Sequence, residues 1–230
     1  AKLAQGVPLT LAIAEQIQAV RPQTRFVIPV APTLDLKTLA RFADPQQNPI
    51  ARSFGEISAE LVILPNQSPY LKTAAGVQVE LRTDFPAYEL LSQCQLCLTT
   101  VGANTAELGS LAVPMIVLIP MQQADAMRAW GGIPGLLVNL PGVGSSFAKL
   151  INWWFLRKPR LLAWPNIWAQ EQIVPEKVGM VQPQEIAELV LDWLNHPEKL
   201  QQIRDRLRSV RGQPGAAEKL SQIVVEELTA

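Results

Sequence analysis

Short apolar runs of strand length recur along this chain, and stretches of helical period separate them. That alternation limits its fold more than any other feature. Arg25-Phe26-Val27-Ile28-Pro29-Val30-Ala31 reads as a buried strand. Glu60 to Leu64, Val77 to Arg82, Leu96 to Val101 and Pro114 to Ile119 read as further strands. Pro8 to Val20, Leu34 to Phe42, Tyr88 to Gln93 and Asn104 to Leu111 read as the helices between them. Continuous apolar strands need cover on both faces, which amphipathic helices supply. The expected fold class is α/β, with a Rossmann-like, doubly wound parallel sheet.

The last third changes character. Ile186, Leu189, Val190, Trp193 and Leu194 repeat at helical spacing. Pro197 then opens a helix at its first position, with Leu200, Ile203 and Leu207 on one face. Gly212 and Pro214 end it, and Ala216 to Leu228 reads as the last helix. The expectation is one domain over residues 1–230. Residues 121–160 form a basic, aromatic insertion and 182–230 the C-terminal helices.

With 230 residues, 48% of them hydrophobic, the chain can bury a sizeable core. Its 20 basic and 20 acidic residues cancel, which argues against a general nucleic-acid binder. No apolar run reaches the length of a membrane span; Phe147 to Leu156 is interrupted by Lys149 and Asn152. Ala1-Lys2-Leu3-Ala4-Gln5 lacks the charged start, apolar core and cleavage site of a signal peptide. A first residue other than Met reads as a processed chain or a fragment.

Cys94 and Cys97 stand as Cys-x-x-Cys, a spacing that suits a redox pair or half a metal site. Cys97 lies in an apolar run, and no second pair or nearby His completes a metal site. Two reduced, structural thiols in a cytosolic compartment are therefore expected. His196, the single His, precedes Pro197 and is expected at a cap or loop.

Two stretches carry chemistry. In Thr99-Thr100-Val101-Gly102-Ala103-Asn104-Thr105-Ala106-Glu107 a strand ends, a Gly turns the chain and a helix starts. Ligands of doubly wound sheets bind at such places, against a helix N-terminus whose free N–H groups favour phosphate. Gly102 would allow close backbone approach. Asn104 and Thr105 would cap the helix or donate to a diphosphate, and Glu107 would accept from sugar hydroxyls. An ordinary capped strand–turn–helix has the same pattern. The second stretch runs from Trp164-Pro165-Asn166-Ile167 to Ile173-Val174-Pro175-Glu176. Pro165 is expected to hold Trp164 extended. Asn166 would read amide or hydroxyl groups or cap a helix.

Between them, Ala126 to Gln170 contains no acidic residue and five of the chain's six Trp. Phe147, Leu150, Ile151, Trp154 and Phe155 form a helical stripe edged by Lys149, Arg157 and Lys158. This pattern suits an amphipathic helix lying on an anionic membrane, with Trp153 and Trp154 at its wet edge. It also suits a core helix or an oligomer interface, which would make a homodimer.

Taken in order, these stretches resemble the lipid-A-disaccharide synthases. Arg25 to Asp35 is similar to that family's strand and turn. Gly102 to Glu107, with Leu111-Ala112-Val113-Pro114-Met115, is similar to its Gly-rich turn and the following strand entry. Pro165-Asn166-Ile167 through Glu176 resembles a characteristic stretch, and Gly212-Gln213-Pro214-Gly215-Ala216-Ala217-Glu218 its C-terminal signature.

The resemblance implies a two-Rossmann-domain (GT-B) glycosyltransferase. Such an enzyme joins a UDP-linked acylated glucosamine to an acylated glucosamine lipid, with inversion, and needs no metal or cofactor beyond the UDP-sugar substrate. This chain would be the C-terminal, donor-binding half. The catalytic carboxylate is expected in an N-terminal half. Gly102, Thr105 and Glu107 would lie in the UDP-binding turn, and Asn166 would match an Asn needed for activity.

Where the family continues toward Tyr-Arg, this chain has Pro120-Met121-Gln122-Gln123, followed by an extra segment from Ala124 to Gly144. That strand end resembles the peptidoglycan N-acetylglucosaminyltransferases, which implies that Gln122 holds the donor sugar. The expected partners are a UDP-sugar, an acylated glucosamine lipid and the inner face of the cytoplasmic membrane, bound peripherally. Two rival readings are a UDP-sugar 2-epimerase-like enzyme and a non-catalytic membrane-binding or nucleotide-sugar-binding module.

Overall fold

A computed structural model describes residues 2–120, 161–212 and 215–229. The elements in chain order are α1 (Lys2–Val20), β1 (Phe26–Pro29), α2 (Leu36–Arg41), a 3-10 helix (Pro49–Phe54), β2 (Ala59–Val62), β3 (Tyr70–Thr73) and β4 (Gln78–Arg82). Then come α3 (Tyr88–Gln93), β5 (Cys97–Thr99), α4 (Ala103–Ser110), β6 (Met115–Pro120), α5 (Trp164–Ala169), β7 (Glu176–Gly179), α6 (Pro183–Asn195), α7 (Pro197–Val210) and α8 (Ala216–Thr229). The fold is α/β, as the alternation predicts.

The sheets depart from the expected single parallel array. One has four strands in the order β1-β4-β3-β2, the other three in the order β5-β6-β7. The second is parallel throughout. In the first, only β1 and β4 are parallel; β3 runs antiparallel to both β2 and β4. The cause is a tight return after β3. Thr73 O accepts from the Gly76 N–H at 2.8 Å, and Gly76 takes a φ of +89°. The apolar run of β1 predicts a strand covered all round, yet Phe26, Val27 and Ile28 are only partly buried. Among the described residues β1 pairs only with β4, and β5 only with β6.

β6 shows why a continuous apolar run suits a central strand. Ile116 and Leu118 enter the larger core with α1, β4 and α6. Met115 and Val117, pointing the other way, enter a second core with Leu108 of α4, Val174 and Leu207 of α7. Alternating side chains thus fill two apolar layers.

Helix α1 starts at Lys2, six residues before the expected start at Pro8. A Pro inside a helix removes the N–H that would bond the carbonyl four residues back. Here the orphaned Ala4 carbonyl accepts instead from Asn48 Nδ2 at 2.7 Å. Asn48 is buried and donates also to Phe42 O at 2.7 Å. Apolar residues on nearly every side make α1 a buried helix rather than an amphipathic one. Leu9, Leu11, Ile13 and Ile17 are all at most 2% exposed, packed against α6 and the 3-10 helix.

Candidate functional site

The parallel strands β6 and β7 end side by side at Pro120 and Gly179, and β5 ends at Thr99, beside Val117 of β6. From Thr99 the chain turns through Gly102 into α4. Gly102 has φ +153° and ψ −166°, a region essentially reserved for Gly. A Cβ there would also lie 2.9 Å from Asn104 Oδ1.

Two bonds set the turn. The Thr105 hydroxyl donates to Gly102 O at 2.8 Å, and the Thr105 N–H to the same oxygen at 3.1 Å. Among the described residues no side chain caps α4. The N–H groups of Ala103 and Asn104 therefore have no partner among the described residues, and they stand at the positive end of the helix dipole.

Asn104 does not cap. Its Nδ2 donates back to Thr99 Oγ1, tying the first turn of α4 to the end of β5. Glu107 is exposed, and its carboxylate has no partner among the described residues. The sequence reading missed Lys2. Its Nζ donates to Val101 O at 2.9 Å and brings an ammonium to the same turn. The signal was a lone Lys at a helix start, a position where a cation is not expected from the dipole. Gln5, one turn further along α1, is buried with its Oε1 unpaired.

The second stretch lies against the first. The Trp164 N–H donates to Thr105 Oγ1 at 3.2 Å. Gly109 lets α4 and α5 approach closely, since a Cβ there would fall 2.7 Å from Pro165 Cγ and 3.2 Å from Trp168 Cζ3. Thr105 and Asn166 are both fully buried.

Two readings of this stretch need correction. Trp164 is not held extended: it is the first residue of α5, and Ala163 is the extended residue before it. Asn166 neither caps that helix nor faces solvent. Its Oδ1 accepts from Ile173 N at 2.8 Å and Val174 N at 2.9 Å. Its Nδ2 donates to Val174 O at 2.8 Å and Glu176 Oε1 at 2.7 Å. An amide side chain has two donors and two acceptor sites, so none remains for a ligand.

Glu176 completes the brace. Its Oε1 also accepts from Ala163 N at 2.8 Å, and both its oxygens from Leu162 N at 2.9 and 3.0 Å. A carboxylate from β7 thereby satisfies donors at the entry to α5, where negative charge is favoured. Thr105, Asn166 and Glu176 thus position the turn. Gly102, Lys2 and Glu107 are the parts of it open to a ligand.

Gln122, Lys149, Trp153, Trp154, Arg157 and Lys158 lie outside the described residues. Of the acid-free segment, α5 is described. Trp164, Ile167 and Trp168 are 45%, 41% and 38% exposed on it, with the Trp ring centroids 6.4 Å apart. His196 sits between α6 and α7 as expected; its Nδ1 lies 2.7 Å from Asp192 O. Two surface hollows lie away from the Gly102 turn, one beside Gln18, Phe26 and Tyr70, the other beside Phe54, Gly55 and Glu188. Among the described residues, no helix is long and apolar enough to cross a membrane. Comparison with protein-family models, curated proteins and solved structures finds no match.

Proposed function

We propose that this chain is the donor-binding half of an inverting GT-B glycosyltransferase, which transfers an acylated glucosamine from a UDP-sugar to a glucosamine lipid. The observation that carries this reading is the Gly102 turn: uncapped α4 amides and the Lys2 ammonium, at the carboxyl ends of parallel strands. Two free N–H groups and a cation suit the diphosphate of a leaving UDP. Held in place beforehand, they stabilise the negative charge that grows as the sugar–phosphate bond breaks. Glu107, exposed a turn further on, accepts from donor hydroxyls. In this reading a carboxylate of an N-terminal half takes the proton of the acceptor hydroxyl, which attacks the anomeric carbon.

Titration calorimetry with UDP tests the site. Saturable heat below millimolar UDP is expected. Lys2→Ala should weaken binding by at most about fivefold, because an exposed charge contact is worth roughly 0.2–1 kcal/mol. Folded protein that gives no heat at millimolar UDP would overturn the assignment.

A membrane-facing role for the same half is supported by the exposed Trp164, Ile167 and Trp168. Trp rings on one face of a helix within the acid-free segment suit the headgroup level of an anionic bilayer. The chain should co-sediment with phosphatidylglycerol vesicles. The double change Trp164→Ser, Trp168→Ser should cut the bound fraction by about half or more. Undiminished binding would remove α5 from the membrane face.

A further inference from the structure

Trp164 takes part in two places at once. Its side chain is exposed on α5, on one face with Ile167 and Trp168. Its N–H, at the first position of that helix, donates to Thr105 Oγ1 at 3.2 Å. The Thr105 hydroxyl in turn donates to Gly102 O at 2.8 Å. Thr105 is fully buried, so its hydroxyl is shielded from water. One hydroxyl therefore joins an outward-facing helix to the turn that precedes α4. A second contact lies beside it. A Cβ on Gly109 of α4 would stand 3.2 Å from Trp168 Cζ3, so α5 meets α4 near both of its ends.

Helix α5 has six residues, too few for a helix to persist without packing. Contacts decide its place: Thr105 and Gly109 of α4, and Glu176, which holds Leu162 N and Ala163 N just before it. Such an element has two states, docked on α4 as a helix or locally released. Only the docked state sets Trp164, Ile167 and Trp168 on one face. Only there does Trp164 hold the Thr105 hydroxyl against Gly102 O.

We propose that α5 couples the two ligands of this half: seating Trp164, Ile167 and Trp168 in an anionic bilayer tightens diphosphate binding at the Gly102 turn, through the Thr105 hydroxyl. This coupling rests on the donor-site and membrane readings above. A bilayer binds the docked helix better than the released one, and so shifts the population toward docked α5. The nucleotide then meets a turn that is already ordered, with the Ala103 and Asn104 N–H groups in place. Linkage makes the effect reciprocal: bound nucleotide tightens bilayer binding by the same factor. A donor half of this kind grips its sugar nucleotide best where a lipid acceptor lies.

Two titrations of the full chain measure that factor. UDP affinity is read by calorimetry with and without saturating phosphatidylglycerol vesicles. Vesicle affinity is read by co-sedimentation with and without saturating UDP. Both affinities should rise by the same factor of about five or more, the low end of measured couplings between sites. Thr105→Val removes the hydroxyl at nearly constant volume, and Thr105→Ser keeps it. In the Val variant both factors should fall to about one, whatever the change in either affinity alone; the Ser variant should retain them. All chains meet the same vesicle charge, so repulsion of UDP by the bilayer cancels from the comparison. The wild-type factors do not depend on either variant folding. Wild-type chain that binds UDP and vesicles, with neither tightening the other, would overturn the coupling and leave the donor-site reading standing. Undiminished factors in a folded Val variant would overturn the route through the hydroxyl. Chain that binds no UDP, or no vesicles, would overturn the underlying reading and the coupling with it.

Discussion

Asn166→Asp lowers the stability of the fold by about 3–5 kcal/mol, read by urea unfolding. The change is nearly isosteric, so packing contributes little. It removes the two donors of the amide. Val174 O loses its partner in the interior, and the donor to Glu176 Oε1 becomes a second carboxylate. In the fold one of the two acids then keeps its proton to a higher pH than in the unfolded chain. The charge part of the deficit is therefore full above that raised folded-state value, shrinks as pH falls from it toward the ordinary carboxylate range, and is gone below about 4. This outcome separates two roles for Asn166. A residue that touched the nucleotide would lose affinity and leave stability nearly unchanged. A brace loses stability, and the fraction still folded binds UDP almost as before.

Ile13→Ala is the second large effect, a loss of about 2–5 kcal/mol in the same measurement. Ile13 has no exposed surface and lies midway along α1, the helix shared by α6 and the 3-10 helix. Truncation removes three carbons from a packed interior and leaves a cavity that rigid neighbours on several sides cannot fill. Val20→Ala in the same helix is the control. Val20 is 68% exposed, so its truncation should stay within about 0.5 kcal/mol. If the two variants unfold alike, α1 is not the buried centre of the larger core.

Much of the architecture was legible in the apolar pattern. α3 runs from Tyr88 to Gln93 as the sequence predicts. The Ile116–Ile119 run lies in a central strand. The stripes after Ile186 and Leu200 face the core from α6 and α7. Pairing direction was not legible, because a period of two marks a strand without naming its neighbour. β3 was missed altogether. It is four residues long, its two buried positions are Leu71 and Thr73, and the polar one gave no apolar signal.

The site was legible in part. Gly102 was conspicuous because strand, Gly and helix follow in order. Lys2 was not, since nothing in the sequence brings it to a turn ninety-nine residues later. Asn166 stood out by residue type, but its role depended on Glu176, ten residues further on. No helical or strand period links those two positions. Asn48 shows the same limit from the other side: Pro8 reads as a helix start because the rescuing amide lies forty-four residues away from Ala4.

The carboxylate of Glu176 also acts as a positional key for the strand that bears it. Slide β7 by one residue against β6, and Lys177 takes that place. Three N–H donors, from Leu162, Ala163 and Asn166, would then confront an ammonium with nothing to accept them. Every other side chain of β7 would swap faces at the same time. A short parallel strand, whose hydrogen-bond ladder repeats evenly and tolerates shifts, is thus confined to a single alignment by one charged group.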